Sequence, residues 1–376
     1  MESIFTKENL FKAYVDCKDK KKNTINALKF EINREKNLFR LLRDLQEGKY
    51  KISRHICFVV TDPKPREIFA ADFRDRIVHH LLYNEIIDLF ERDFIDNSFA
   101  NRRGKGMHRG VDKLKAHLKN SPQDWCLKLD IRSFFCSINR DILFKHLKEK
   151  IECADKPQHW KSEVLWLTEK IVFNDPTQNY IYKGDQKLRR LIEKEKSLFY
   201  SNGKGLPIGN LTSQVFANIY LDSLDKFVLS FGNSYYMWRR ALYIRYVDDF
   251  VILGNRGIIK ELGKIKAFLE KKLGVAISDR KIKFQPASKG IDFLGYYVKP
   301  DYTLVRRKVV SKFKRKIKNQ NYRSEQRRLS AINSYFGHFM HANTYNLRKK
   351  LSLKILASDS KNFCIKGEYN YLKLDK

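Results

Sequence analysis

The sequence predicts an α+β protein: a ferredoxin-like sheet of split βαβ type flanked by helices, with a basic helical domain beside it. Two observations lead there. Between Trp125 and Val298 the elements run strand, helix, helix, hairpin, helix, strands. From about Pro300 the chain turns strongly basic, with eleven of the 23 residues from Arg306 to Arg328 being Lys or Arg. Val309, Val310, Phe313 and Ile317 recur beneath those charges at helical spacing.

Each element has its own signal. A short first helix leads into a solvated basic loop at residues 18–22. Ile56 to Val60 is β-branched and apolar, Asp62-Pro63-Lys64-Pro65 is a turn, and Arg66 to Ala70 is the returning strand. Asp72 can cap a long helix whose apolar positions Ile77, Val78, Leu81, Leu82, Ile86, Leu89 and Phe90 follow a 3.6 period. The basic glycine loop Asn101 to Gly106 leads on to a strand from Trp125 to Leu129 that ends at Asp130, and Asn139 can cap the next helix. Residues 153–203 are polar and charged and are expected to form a surface insertion. Thr212 or Ser213 caps a helix that buries Val215, Phe216, Ile219, Tyr220, Leu224 and Phe227 and ends at Gly232. Ala241 to Leu253 is a strand–turn–strand with two aspartates at its tip, and a helix from about Ile258 to Leu273 stops at Gly274. Two more short strands end in Phe293-Leu294-Gly295-Tyr296.

Composition narrows the function. The 376 residues suffice for two or three subdomains, and 43% apolar content excludes a disordered basic tail. The six cysteines show no metal-ligand spacing, so neither zinc nor disulfides are expected. No window reaches the ~18 apolar residues a membrane helix needs, and the N-terminus lacks a signal-peptide core. A cytoplasmic protein with no membrane partner is the expectation. A net charge of +33 points to a polyanion, most simply nucleic acid, or else to a merely basic protein. Charge alone does not separate a nucleic-acid enzyme from a binding module.

The carboxylates sharpen this. Tyr246-Val247-Asp248-Asp249-Phe250 sets adjacent acids inside an apolar hairpin, where a carboxylate is costly unless compensated. By itself the pair also fits an ordinary Asp-rich turn. Asp130 ends a second apolar strand, and a ferredoxin-like sheet can place all three acids together. Three clustered carboxylates repel unless cations lie between them, and two Mg²⁺ ions in such a cluster perform in-line nucleotidyl transfer.

Asp130 with Phe134-Phe135, and Tyr-Val-Asp-Asp at 246–249, resemble motifs A and C of reverse transcriptases. Lys64-Pro65-Arg66, residues 73–78 (Phe-Arg-Asp-Arg-Ile-Val), residues 205–214 (Gly-Leu-Pro-Ile-Gly-Asn-Leu-Thr-Ser-Gln) and Phe293-Leu294-Gly295-Tyr296 follow the family's order and spacing, over about residues 55 to 300. The resemblance implies a right-hand polymerase: mixed fingers over 1–124 with part of the palm, a ferredoxin-like palm over 125–299, and a helical basic thumb over 300–376. By the same resemblance Asp130, Asp248 and Asp249 hold two Mg²⁺, with Mn²⁺ able to substitute, and the Ile131 carbonyl completes one shell. Phe135 blocks the ribose 2′ hydroxyl, or is simply core. Arg66 and Lys64 reach the dNTP triphosphate. Gly209, Ser213 and Gln214 line nucleotide and template. Lys281 either protonates pyrophosphate or is an exposed strand lysine. Arg74 and Arg76 contact template or pair with Asp72 or Asp75. Phe293, Leu294 and Gly295 grip the primer end, and the basic helix follows the cDNA/RNA duplex.

Within the family, Ile208-Gly209-x-x-x-Ser213-Gln214, with Phe216 to Tyr220 behind it, resembles the diversity-generating retroelement type, as do residues 334–338 and 341–345. Val247 stands where Met is frequent in that group. The implied function is copying a template-repeat RNA into cDNA with errors at adenines, alongside a small basic helical accessory protein. The rivals are a phage-defence reverse transcriptase, which shares every catalytic residue, and an inactive RNA-binding scaffold, against which the intact acids argue.

Overall fold

Apolar strands flanked on both sides by helical apolar stripes can bury both faces of a sheet, and the chain does so. The computed structural model describes residues 3–19, 24–62, 64–231, 241–318, 324–358 and 363–374. Three helices open it, α1 (Lys7–Asp19), α2 (Ile25–Ile32) and α3 (Arg34–Gln46). Lys18 of the expected loop is helical and pairs with Glu31 at 2.7 Å; residues 20–23 lie outside the described residues. The hairpin β1 (His55–Val60) and β2 (Arg66–Ala70) is antiparallel from Ile56↔Ala70 to Val60↔Arg66. Asp72 caps α4 (Phe73–Glu91), its carboxylate accepting from the Arg74 amide.

The glycine loop does not run on to the strand. A helix, α5 (Met107–Asn120), intervenes, burying Val111, Leu114 and Leu118 under a Lys- and His-rich face. Then come β3 (Trp125–Asp130), the single turn α6 (Phe134–Ser137) and α7 (Arg140–Glu152), capped by the Asn139 side chain. The expected surface insertion at 153–203 needs correction in its first half. There α8 (Gln158–Val172) buries Trp160, Val164, Leu167, Thr168, Ile171 and Val172 in the main core. Its charges occupy the opposite side of the helix and hid the stripe. β4 (Tyr180–Tyr182) adds to β1 in parallel.

α9 (Leu211–Ser230) starts one residue before the expected caps. Asn210 holds the cap position without a side-chain cap bond, and Thr212 instead meets His79 Nδ1 at 2.7 Å. Gly232 lies outside the described residues. β5 (Leu242–Tyr246) and β6 (Asp249–Gly254) form the aspartate hairpin, α10 (Leu262–Leu273) ends at Gly274 with φ +61°, and β7 (Lys283–Pro286) follows. These strands make one sheet in the order β5-β6-β3-β7, every neighbour antiparallel. Numbered by their own succession that is 2-3-1-4, the split βαβ arrangement.

Alternation along the strands separates two cores. Leu127, Leu129, Tyr243, Phe250 and Ile252 join helices α1, α4, α7, α8 and α9 on one face. Cys126, Leu242, Ile244, Val251 and Leu253 join α5 and the C-terminal region on the other. That region begins with a small antiparallel sheet, β8 (Ile291–Phe293), β9 (Tyr296–Val298) and β10 (Thr303–Val305). α11 (Arg307–Lys318), α12 (Glu325–Phe339) and α13 (Tyr345–Ser358) follow. Phe313 is the buried anchor of basic α11. The region is not wholly helical: β11 (Phe363–Lys366) and β12 (Tyr371–Leu374) form a hairpin tied to α12 by two 2.8 Å bonds between Asn333 and the Leu372 backbone. All six cysteines are free.

Candidate active site

Register brings the acids together. In the β3–β6 ladder Asp130 stands opposite Asp249, and the Ile131 amide donates to the Asp248 carbonyl at 3.2 Å. Asp130 and Asp249 share strand parity with Cys126 and Val251, so they point to the face that carries the β8–β9 turn and α11. Asp248 lies in the two-residue turn between Tyr246 and Asp249, and Val247 before it adopts φ +56°. A β-branched residue there costs about 1–3 kcal/mol and persists only where its surroundings impose it. Ser133 (φ +47°) and Leu294 (φ +48°) are bent the same way at the two other loops of the site.

Burial, then the charges of Asp130 and Asp249, push Asp248 up to about 6. Burial also raises Asp249, against the pull of Lys128. One oxygen of Asp249, Oδ1, is buried with no hydrogen-bond partner. Two ammonium groups compensate the carboxylates. Lys281 Nζ pairs with Asp130 Oδ1, and Lys128 Nζ lies 3.1 Å from Asp249 Oδ2 and 2.7 Å from the Asp292 carbonyl. Among the described residues no three Asp, Glu, His or Cys side chains close into a ready-made ion site. The orphaned oxygen and the raised acids nevertheless form a hard, anionic donor set that suits divalent cations.

The other expected residues fall as follows. Phe135, half-buried, stacks edge-on against Phe134 at 5.6 Å, and its carbonyl accepts from the Leu206 amide at 2.7 Å, which ties motif A to the glycine segment. Gly209 has φ +130°; a Cβ there would lie 3.0 Å from Ile68 Cγ2 and 3.1 Å from the Phe69 carbonyl oxygen. The Ile208 carbonyl accepts from the Phe69 amide, so this loop is laid against strand β2. Ser213 is buried and Gln214 exposed on the first turn of α9. Lys64 and Arg66 are exposed at the β1–β2 hairpin. Its Asp62 pairs with Lys312 of α11, so this hairpin and the basic helix face each other. Phe293 is fully buried beneath the Leu294–Gly295 turn, and the Gly295 Cβ position lies 3.1 Å from the His338 ring.

Two expectations change. Arg74 does not reach out toward template. It bonds Asp44 at 2.9 Å, Asp75 at 3.3 Å and the Lys51 carbonyl at 3.0 Å, and lies over the Tyr50 ring, so the salt-bridge reading describes it. Arg76 bonds the Ala71 carbonyl. Lys281 is on a single 3₁₀ turn, not a strand, with its amine on Asp130. In the basic loop, Arg102 is used up on Glu91 and on the Ile95 and Ser98 carbonyls.

Two residues escaped the sequence reading. Lys128 had a signal: a lysine inside an apolar strand, two residues before Asp130 and on the same face. Arg245 had a weaker one, as a charge in an otherwise apolar strand. It is fully buried and forks onto Asp225 with two bonds of 2.6 Å.

The comparisons with known proteins point to one family. The family model described as reverse transcriptase (RNA-dependent DNA polymerase) matches residues 61–298. Protein YkfC of Escherichia coli is 23% identical over 68% of this chain and 70% of its own length. A putative COX1/OXI3 intron 2 protein of Saccharomyces cerevisiae is 23% identical over 70% of this chain. The group II intron-encoded protein LtrA of Lactococcus lactis is 21% identical over the same share. The chain spans only 34% and 50% of the last two. No helix among the described residues is long and apolar enough to cross a membrane. With the family model spanning well over half of the sequence and both of its acidic strands, the chain belongs to the reverse transcriptase (RNA-dependent DNA polymerase) family.

Proposed function

We propose that the chain is the RNA-directed DNA polymerase of a diversity-generating retroelement, copying a template-repeat RNA into cDNA with errors at template adenines. The observation that carries the polymerase reading is the register of Asp130 against Asp249, with Asp248 in the adjoining turn. Reverse transcriptase domains use divalent metal ions. Bound between these carboxylates, two Mg²⁺ ions, or Mn²⁺, would activate the primer 3′ hydroxyl and neutralise the triphosphate. Asp130, Asp248, Asp249 and the Ile131 carbonyl would hold them. Arg66 forks onto the triphosphate from the β1–β2 hairpin, and the Lys64 ammonium adds a point charge beside it. The Phe135 ring occupies the space a 2′ hydroxyl would need, which rejects ribonucleotides. Gly209 lets the loop pass close to β2, so that Ser213 and Gln214 line the nucleotide and template. Lys281 is the acid for departing pyrophosphate. Leu294 and Gly295, in the turn that buried Phe293 supports from beneath, grip the primer end while α11 tracks the duplex backbone.

The retroelement type is supported by Ile208-Gly209-x-x-x-Ser213-Gln214 and by the segments at 334–338 and 341–345. A small basic helical accessory protein and a structured RNA are the proposed partners. Changing Asp248 and Asp249 to Ala should abolish Mg²⁺-dependent dNTP incorporation on an RNA template while RNA binding remains; continued synthesis would overturn the site. Sequenced cDNA should carry its errors at template adenines, and a uniform error profile would point instead to a defence-type enzyme.

A further inference from the structure

The strained turn that carries Asp248 is held from behind. Arg245 and Tyr243 share the face of β5 opposite to the carboxylates, turned toward α9. There Arg245 Nε and Nη2 each donate to Asp225 at 2.6 Å, a bidentate fork between two fully buried side chains. Tyr243 donates to the same carboxylate at 2.7 Å. Burial, the largest single influence, would lower the guanidinium's pKa, but the charge and hydrogen bonds of Asp225, with Tyr243 and Asp222, together outweigh it and hold Arg245 above its ordinary value. With the fork fixed, Nη1 is left to donate elsewhere. It reaches Asn218 Oδ1 at 3.1 Å and the carbonyl of Val247 at 3.3 Å. Asn218 is itself fixed through the Ala100 carbonyl at 2.8 Å. The Arg245 backbone is clamped too, its amide donating to Asn97 O and its carbonyl accepting from the Phe99 amide, both at 3.0 Å.

We propose that Arg245 is a positioning residue for nucleotidyl transfer: anchored on Asp225, its guanidinium holds the Val247 carbonyl and so keeps the turn in the bent form that presents Asp248 and Asp249. The proposal rests on the active-site reading above. A buried ion pair kept only for stability needs no donor aimed at the turn, and well-packed apolar side chains commonly stabilise such a site as well or better. The bend at Val247 supplies the independent reason. A β-branched residue does not choose φ +56° unless something on the protein side imposes it, and the Arg245 bond is made to that residue's own carbonyl. Lysine cannot replace it, because one ammonium cannot fork onto Asp225 and reach the turn together.

The test uses the full chain with Arg245→Lys, Val247→Gly and the double variant. Melting temperature, primer–template Kd, KM for dNTP and kcat are measured at saturating Mg²⁺. Arg245→Lys should leave Kd and KM near wild type and lower kcat on the order of 10- to 100-fold, the scale of small misplacements at a reacting centre. Glycine adopts the bend without strain, so Val247→Gly placed in the Arg245→Lys background should restore kcat about threefold or more, a coupling expected of neighbours acting as one unit. Wild-type kcat with only a lowered melting temperature would overturn the proposal, as would effects of the two substitutions that simply multiply. If Arg245→Lys does not fold, Asp225→Asn loosens the anchor while keeping Arg245, and an unchanged kcat in it is equally fatal. Failure of the site itself reads differently: Asp248→Ala would then retain synthesis, whatever Arg245→Lys does.

Discussion

Lys128→Met isolates the electrostatics of the centre. Methionine fills a similar volume against Phe293, whose ring lies 5.7 Å from the Lys128 amine, so charge rather than packing is removed. The Lys128–Asp249 pair is largely buried, with side chains 13% and 22% exposed. At 3.1 Å and an effective dielectric near 20, the lost attraction is about 5 kcal/mol. Proton uptake limits that figure. Bringing a carboxylate of ordinary pKa to neutrality at pH 7 costs about 4 kcal/mol, and burial has already raised Asp249 part of the way. The bond to the Asp292 carbonyl adds about 1 kcal/mol. A loss of about 2–4 kcal/mol in the metal-free protein follows, several degrees in melting temperature. Mg²⁺ should return much of it, because a cation between the acids does what the ammonium did. Thermal unfolding of both proteins in EDTA and in Mg²⁺ checks this. The reasoning is refuted if Lys128→Met is as stable as wild type in EDTA, or if Mg²⁺ raises both melting temperatures equally.

Further outcomes follow from the same geometry. Phe135→Ala should admit ribonucleotides, read as the ratio of kcat/KM for dNTP and rNTP; an unchanged ratio removes the gate. Gly209→Ala places a methyl against Ile68 and the Phe69 carbonyl at a φ that L residues avoid, at a cost of about 1–3 kcal/mol. Melting and dNTP KM should both worsen, and a neutral result would show that the loop moves freely. Asp248, raised to about 6 from 3.8, holds its proton more tightly folded than unfolded. Its contribution to metal-free stability is therefore most favourable below pH 4 and is lost as pH rises to about 6. Above that pH a divalent ion relieves the buried charge, and below it the proton competes. The Mg²⁺-induced gain in melting temperature should be full at pH 7.5 and shrink as pH falls through about 6; a gain independent of pH would contradict the burial of Asp248.

The sequence was most informative where a local signal and the global fold agree. The caps Asp72 and Asn139, the hairpins at 55–70 and 242–254, and the stop at Gly274 are each set by chemistry within a few residues. The three acids were legible because charge in an apolar strand is expensive wherever the strand lies. α5 and α8 were not legible as core, because Lys, His and Glu on their solvent side mask a narrow apolar stripe. Arg74 had two equal readings until Asp44, 30 residues away, was brought to it.

By itself, then, the sequence determined which residues carry charge, which strands are apolar, and the order in which they come. Those facts suit a split βαβ sheet and single out Asp130, Asp248 and Asp249 as the candidate site. Only the tertiary structure decided what surrounds those acids. Lys128 and Lys281 reach them across 121 and 151 residues of chain, and Arg245 meets Asp225 behind the turn across 20. Such pairings depend on strand register and on which face each side chain takes, and a shift of one residue would send every one of them to the other side of the sheet.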